Sequence, residues 1–221
     1  MADQTDSGLF REIEDELREE RAQKLWKTYG KHLLAAAVAV VIGVAGFQGW
    51  RSYDISTRTA DGDRFAAALN LVAGEQLAEA TNAFADIARD ATGGYAMLAR
   101  FQQAGLFVRD GATAEAIAAY QTLSEDTGIP AVYRDLAVVL GALQELDQRG
   151  GDGTALVNRA ATLNTTENPW RHSAREIAAL AAMQGNDHAA ARELLTKLAN
   201  DPQTPRGMRD RASELLAIIG K

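Results

Sequence analysis

From Leu33 to Trp50 the chain reads LLAAAVAVVIGVAGFQGW, with no charged residue and Gln48 as its only strongly polar side chain. As a helix, 18 such residues span roughly 27 Å, close to the hydrocarbon thickness of a bilayer. A buried core helix would show a polar stripe, and none is visible. The apolar part of a cleaved signal peptide usually runs about 7 to 15 residues behind a short basic start. Here a 32-residue leader precedes the run, including Glu12, Glu14, Asp15, Glu16, Glu19 and Glu20. The pattern predicts an uncleaved membrane anchor over residues 33–50, with 1–32 as a leader and 51–221 as a separate domain.

Within the leader, Leu9, Phe10, Ile13 and Leu17 recur at spacings of three and four, the apolar stripe of an amphipathic helix. Glu14 with Arg18, and Glu20 with Lys24, stand at i,i+4 and support it. Such a helix lies on a membrane surface, docks on a partner, or is a solvated lead-in to the anchor.

After the anchor the pattern repeats. Ala80, Phe84 and Ile87 are spaced by four and three, and so are Ala116, Tyr120 and Leu123; Leu156, Ala160 and Leu163; and Ala191, Leu195 and Leu198. A glycine turn precedes each set: Gly74, Gly111, the Gly150–Gly153 cluster and Gly185. Other helical runs begin near Tyr95, Pro130, Pro169 and Pro205. Asn168 and Thr204 stand before the last two prolines as N-caps, with Pro at the first helical position. These second runs share a pattern too: Arg134-Asp135-Leu136-Ala137, Arg175-Glu176-Ile177-Ala178 and Arg209-Asp210-Arg211-Ala212, with Met97-Leu98-Ala99 in the first unit. Paired helices with such a period suit a tetratricopeptide-like solenoid, whose nominal repeat is about 34 residues. Each pair leaves an apolar face open, so neighbours stack to bury it. The expected architecture is all-α: one transmembrane helix, then about four stacked helix pairs.

Charge gives the anchor a direction. Lys24, Lys27 and Lys31 approach it from the N-terminal side, and Trp26, Tyr29 and Trp50 flank it as interfacial aromatics. The positive-inside rule then places the N-terminus in the cytoplasm and residues 51–221 across the membrane, which for a bacterial inner membrane is the periplasm. Ala35, Ala39 and Gly43 form a small-residue face that permits close helix packing, a contact for a partner or for a second copy.

The net charge of −7 argues against nucleic acid, which requires a concentrated basic surface. With no cysteine there are no disulfides, thiolate metal sites or cysteine nucleophiles. His32, His172 and His188 lack a ligand pattern and read as ordinary surface or helix residues. Ser173 has no nucleophile-elbow glycines, and Asp61-Gly62-Asp63 is too short for a calcium loop. No catalytic, cofactor or metal residue is expected. The repeated Arg134, Arg175 and Arg209 are candidate contacts for acidic or C-terminal carboxylate groups of a partner; the adjacent Asp135, Glu176 and Asp210 favour ion pairs between repeats instead.

The order of acidic leader, Leu25-Trp26-Lys27-Thr28-Tyr29-Gly30, a single anchor and tetratricopeptide-like helices resembles the YfgM-like family of ancillary SecYEG translocon subunits. The alanine-rich segments Tyr95–Arg100, Gly111–Tyr120 and Trp170–Ala182 look like its more divergent members. The resemblance covers nearly the whole chain. It implies a periplasmic domain that binds client proteins or other periplasmic chaperones beside the translocon, with no catalytic residues and no cofactor. A self-associating membrane scaffold is the alternative reading.

Overall fold

The computed structural model describes residues 3–91, 93–148 and 155–220, with side chains from Lys24 onward except Leu25, Ala37, Ala155 and Leu156. The Gly150–Gly153 cluster and the side chains of the Leu9, Phe10, Ile13 and Leu17 stripe lie outside the described positions, as do the Glu14–Arg18 and Glu20–Lys24 pairs and the Leu156 side chain. The described secondary structure is all helix: α1 (Asp3–Ala73), α2 (Leu77–Asp90), α3 (Gly94–Arg109), α4 (Thr113–Glu125), α5 (Ala131–Asp147), α6 (Ala155–Thr162), α7 (Arg171–Gln184), α8 (His188–Asn200) and α9 (Arg206–Ile219). The chain divides into two compact units, Met1–Ala60 and Asp61–Lys221.

The first unit is helix α1 as far as Ala60. No proline interrupts it, and the glycines at 43, 46 and 49 do not break it. Trp26 folds back over Gly30, where an added Cβ would sit 3.3 Å from the indole. Beyond the apolar run, Arg58 pairs with Asp54 at 3.1 Å, and Thr57 donates to the Tyr53 carbonyl, so this part of the helix is polar along one side.

In the second unit the periodic sets place their described apolar residues inside. Ala80, Phe84, Ile87, Ala116, Tyr120, Leu123, Ala160, Leu163, Ala191, Leu195 and Leu198 are all buried. Each large side chain so buried contributes roughly 1.5–3 kcal/mol. Four clusters result, and each is shared by three consecutive helices. Ala68 of α1 joins Phe84 of α2 and Ala99 of α3. Ala104 of α3 joins Tyr120 of α4 and Ala137 of α5. Val138 and Ala142 of α5 join Ala160 of α6 and Ile177 of α7. Ala179 of α7 joins Leu195 of α8 and Ala212 of α9. Alanine recurs at these contacts because only a small side chain lets neighbouring helices approach closely.

The turns fix which helices form a pair. After Ala73, Arg109 and Gln184 the chain makes the same reversal, with one left-handed residue: Glu75 at φ 59°, Gly111 at φ 75° and Asn186 at φ 58°. The next N–H bonds back five residues, from Gln76 to Leu71, Ala112 to Phe107, and Asp187 to Ala182. This is the Schellman arrangement that satisfies the last carbonyls of a helix. It joins the end of α1 to α2, α3 to α4, and α7 to α8. The alanine and aromatic of the tetratricopeptide signature, Ala-x3-Phe, therefore lie on the second helix of each pair, as in Ala80–Phe84 and Ala116–Tyr120. Four pairs follow one another and α9 closes the stack. Only one of these three turns has glycine at the left-handed position.

Pro205 sits one step earlier than expected, and Pro169 two. Pro130 and Pro205 are N-caps with extended ψ of 141° and 139°, and their carbonyls accept the first helical bonds. Thr204 is no cap: its hydroxyl meets His172 instead. Asn168 caps a turn, accepting the Trp170 N–H at 2.8 Å, and α7 starts only at Arg171. This longer connection shifts the register of α7. Seven residues after the N-cap stand Ala137, Ile177 and Ala212, all buried, so Ile177 rather than Ala178 fills the place that the Arg-x-x-Ala pattern assigned.

Candidate functional site

The odd-numbered helices of the second unit form one layer. α5 packs directly on α7, and α7 touches α9, past the intervening even helices. Two clefts open between members of this layer. The larger, about 570 Å³, lies between the start of α3 and the start of α5, lined by Met97, Ile129, Pro130 and Tyr133 with Arg100 and Asp126 beside them. The smaller, about 450 Å³, lies between the ends of α5 and α7 and is lined by Leu143, Leu146, Leu180 and Met183. Leu98, Val132, Tyr133 and Leu143 are exposed on the same helices. Apolar side chains left open along a stack of rigid helices provide a surface for another polypeptide, through burial of apolar area with helix dipoles and charges at the rim.

Charge at the rim follows a repeat of its own. Arg64 reaches Asp90 at 3.4 Å, Arg100 reaches Asp126, and Arg175 reaches Asp201 at 3.7 Å, each pair 26 residues apart. Each pair ties an odd helix to the end of the following even helix. Asp126 and Asp201 also accept the N–H two residues on, from Gly128 and Gln203, both at 2.9 Å, which turns the chain toward the next helix. The Arg100 guanidinium, with the Gly128 N–H, holds the Asp126 carboxyl below its ordinary range. For Asp201 the Gln203 N–H is the larger cause, ahead of His172 and Arg175. In the third repeat Asn164 takes the equivalent place and accepts from Arg175 at 3.0 and 3.2 Å.

The three arginines singled out from sequence thus have different surroundings. Arg175 is held by Asn164 and Asp201. Arg134 is half-buried and close enough to Asp126 to lower its pKa, without an ion pair among the described residues. Arg209 is half-buried, and its carbonyl accepts the Ser213 hydroxyl. Their acidic neighbours do link elements: Glu176 takes two bonds from Arg211, at 2.9 and 3.0 Å, and Asp135 accepts from Asn168. The Arg…Asp spacing of 26 occurs in the sequence at four places, of which Arg64–Asp90, Arg100–Asp126 and Arg175–Asp201 form ion pairs. Aligning arginines with each other, rather than with the aspartates they pair with, misses it.

His172 is buried, not a surface residue, and Thr204 is its partner. Among the described residues no group of three or more His, Cys, Asp or Glu side chains is placed to hold a metal.

In the first unit, one helix is long and apolar enough to cross a membrane. Leu34, Val41, Ile42 and Phe47 are each more than 60% exposed, and none of the apolar window is buried. A row of large apolar side chains with nothing against it is stable in lipid and not in water. Trp26 and Trp50 bracket it, both exposed. Ala35, Ala39 and Gly43 are exposed, and beyond its chain neighbours and its own helix backbone nothing lies within 4 Å of where a Gly43 Cβ would be.

Residues 23–148, more than half of the chain, match the family model of the tetratricopeptide repeat-like domain. The chain belongs to this family. Tetratricopeptide repeat-like domains are protein-binding modules and are typically non-catalytic. It is the family in which YfgM-like proteins fall. The matched segment takes in the apolar helix and the pairs through α5; α6 to α9 continue the tetratricopeptide-like geometry past its end. No curated protein and no solved structure matches the chain.

Proposed function

We propose that this protein is a non-enzymatic binding factor of the bacterial inner membrane whose repeat domain engages proteins during export, at or near the Sec translocon. The observation that carries the reading is one apolar, uncovered helix in the same chain as a tetratricopeptide-like stack with open apolar clefts between its odd helices. Residues 1–32 form the cytoplasmic leader, 33–50 the span, and 51–221 the periplasmic domain, on the strength of Lys24, Lys27 and Lys31 before the span. Partners are translocon subunits, periplasmic chaperones or exported clients, bound noncovalently. Tethering raises the local concentration of the binding surface where polypeptides emerge. Arg134, without an ion pair among the described residues, and Arg209 remain contacts for acidic groups of a partner.

A second reading, a self-associating scaffold, draws on the open face of Ala35, Ala39 and Gly43. Crosslinking in intact membranes followed by affinity isolation separates the two. Translocon or chaperone subunits in the crosslinked product support the first; the protein crosslinked only to itself supports the second. Protease added to spheroplasts should cleave the repeat domain and spare the leader. Protection of the repeat domain, with cleavage in lysates, would overturn the orientation.

A further inference from the structure

We propose that His172 is an acid-sensitive latch that holds the closing helix α9 onto the last repeat while its ring is neutral and releases it when the ring is doubly protonated. His172 stands at the start of α7 with 7% of its surface exposed. Its Nδ1 is 3.1 Å from the Thr204 hydroxyl, and Thr204 is itself 2% exposed in the loop that leads into α9. The hydroxyl can donate to a bare Nδ1 or accept from a protonated one. That pairing across 32 residues is a buried side-chain tie between α7 and the base of α9. It takes the place of the N-cap that Thr204 would otherwise supply.

Nε2 of the same ring is buried and has no hydrogen-bond partner among the described residues. In the neutral ring this leaves one nitrogen unsatisfied, a tolerable cost. In the imidazolium form both nitrogens carry protons, and the N–H at Nε2 would be buried without an acceptor. The charged groups that act on the ring are Arg171 and Arg175 of α7 and Asp201 of the loop after α8; among the described residues no charged group of α5, α6, α8 or α9 does so. Both arginines are fixed in place: Arg171 donates to Gln203 at 2.7 Å and Arg175 to Asn164. Asp201 is the single carboxylate, with its Oδ2 3.9 Å from Nδ1 and 3.7 Å from Arg175. A third positive charge has to share that carboxylate or leave. Leaving requires the Thr204 loop to open, and α9 is attached to it. Behind α9 lie Leu195 and Leu198, so release uncovers the apolar end of the stack.

Burial first, then Arg171 and Arg175, push the ring below the ordinary histidine range, with Asp201 opposing. The open form therefore takes the proton first. The latch is complete above about pH 6.5, the ordinary histidine value, and weakens as pH falls through the window beneath it.

Hydrogen exchange on the full chain in detergent micelles, at pH 7.5 and 5.5 with intrinsic rates corrected, tests this. Protection of α9 and of the loop before it should drop severalfold, up to about tenfold, the most that a group titrating near 6.5 in the open form gives at pH 5.5, while α2 and α3 hold theirs. In His172→Gln the drop should vanish. Equal corrected protection of α9 at both pH values, or the same drop in His172→Gln, overturns the latch. Should His172→Gln fail to fold, the ring's own titration followed by NMR in the unaltered chain decides: a value at or above the ordinary histidine range overturns it, and one below supports it.

Discussion

Gly111 and Glu75 occupy the same left-handed position in equivalent turns, with φ of 75° and 59°. An L side chain there costs roughly 1–2 kcal/mol, which glycine avoids. Gly111→Ala should therefore lower stability by about 1 kcal/mol, because nothing near the new Cβ compensates for the strain. Glu75→Gly should raise it by a somewhat smaller amount, since the added freedom of the unfolded chain offsets part of the relief. Urea unfolding followed by circular dichroism measures both; a shift of the same sign in the two variants would show that the turns are not equivalent. The sequence made these turns visible through Gly74, Gly111 and Gly185 but located the left-handed residue in only one. At the other two, glycine is one place early and a Glu or an Asn takes the conformation. Local composition marks a turn; the bonds from Gln76 and Asp187 back to the preceding helix select the residue.

Helices were legible because apolar spacing of three and four is enforced by burial on one side. Ala80, Phe84 and Ile87, and the matching sets on α4 and α8, are all inside. What the spacing did not fix was register at a helix start, as the shift from Ala178 to Ile177 in α7 shows, nor which charges meet across helices. Arg100 and Asp126 connect α3 to the end of α4, and their meeting depends on how two helices cross. Asp126→Asn keeps the oxygen that accepts the Gly128 N–H and replaces Oδ2, which accepts from Arg100, with an NH2 donor, so the charge and the bond to Arg100 are lost together. The Asp126 carboxyl is held below its ordinary range, so its contribution is present above about pH 4 and lost as pH falls through the lower folded value. The variant should melt at a lower temperature at pH 7 and lose less further stability on acidification below pH 4. Parallel melting curves for the two proteins from pH 7 to pH 3 would remove the pair from the forces that hold α3 to α4.

Across the whole molecule, the long apolar helix and the repeats were the most legible features because each rests on many residues at once: an uncharged run of 18 for the one, four aligned sets for the other. The clefts were not, since they arise where odd helices meet and their lining comes from separate runs such as Met97 with Tyr133. In a repeat stack each helix touches its neighbours and little else, so stability is a sum of local terms joined by interfaces. The four core clusters follow that rule, each drawing on three consecutive helices. Leu195 is fully buried in the last of them, against Ala179 and Ala212. Leu195→Ala removes its methyl groups and leaves a cavity, at a cost of about 2–5 kcal/mol. That loss should fall on α7, α8 and α9, whose amides should exchange faster, while amides around Phe84 in α2 keep their protection. The repeat pattern changes at α6, where Asn164 stands in place of the aspartate found at the ends of α2, α4 and α8. An equal loss of protection in α2 and α8 would mean that the domain unfolds as a single unit, with α5 against α7 carrying the coupling past α6. A loss confined to α7–α9 would make the C-terminal end an independently opening part of the binding surface.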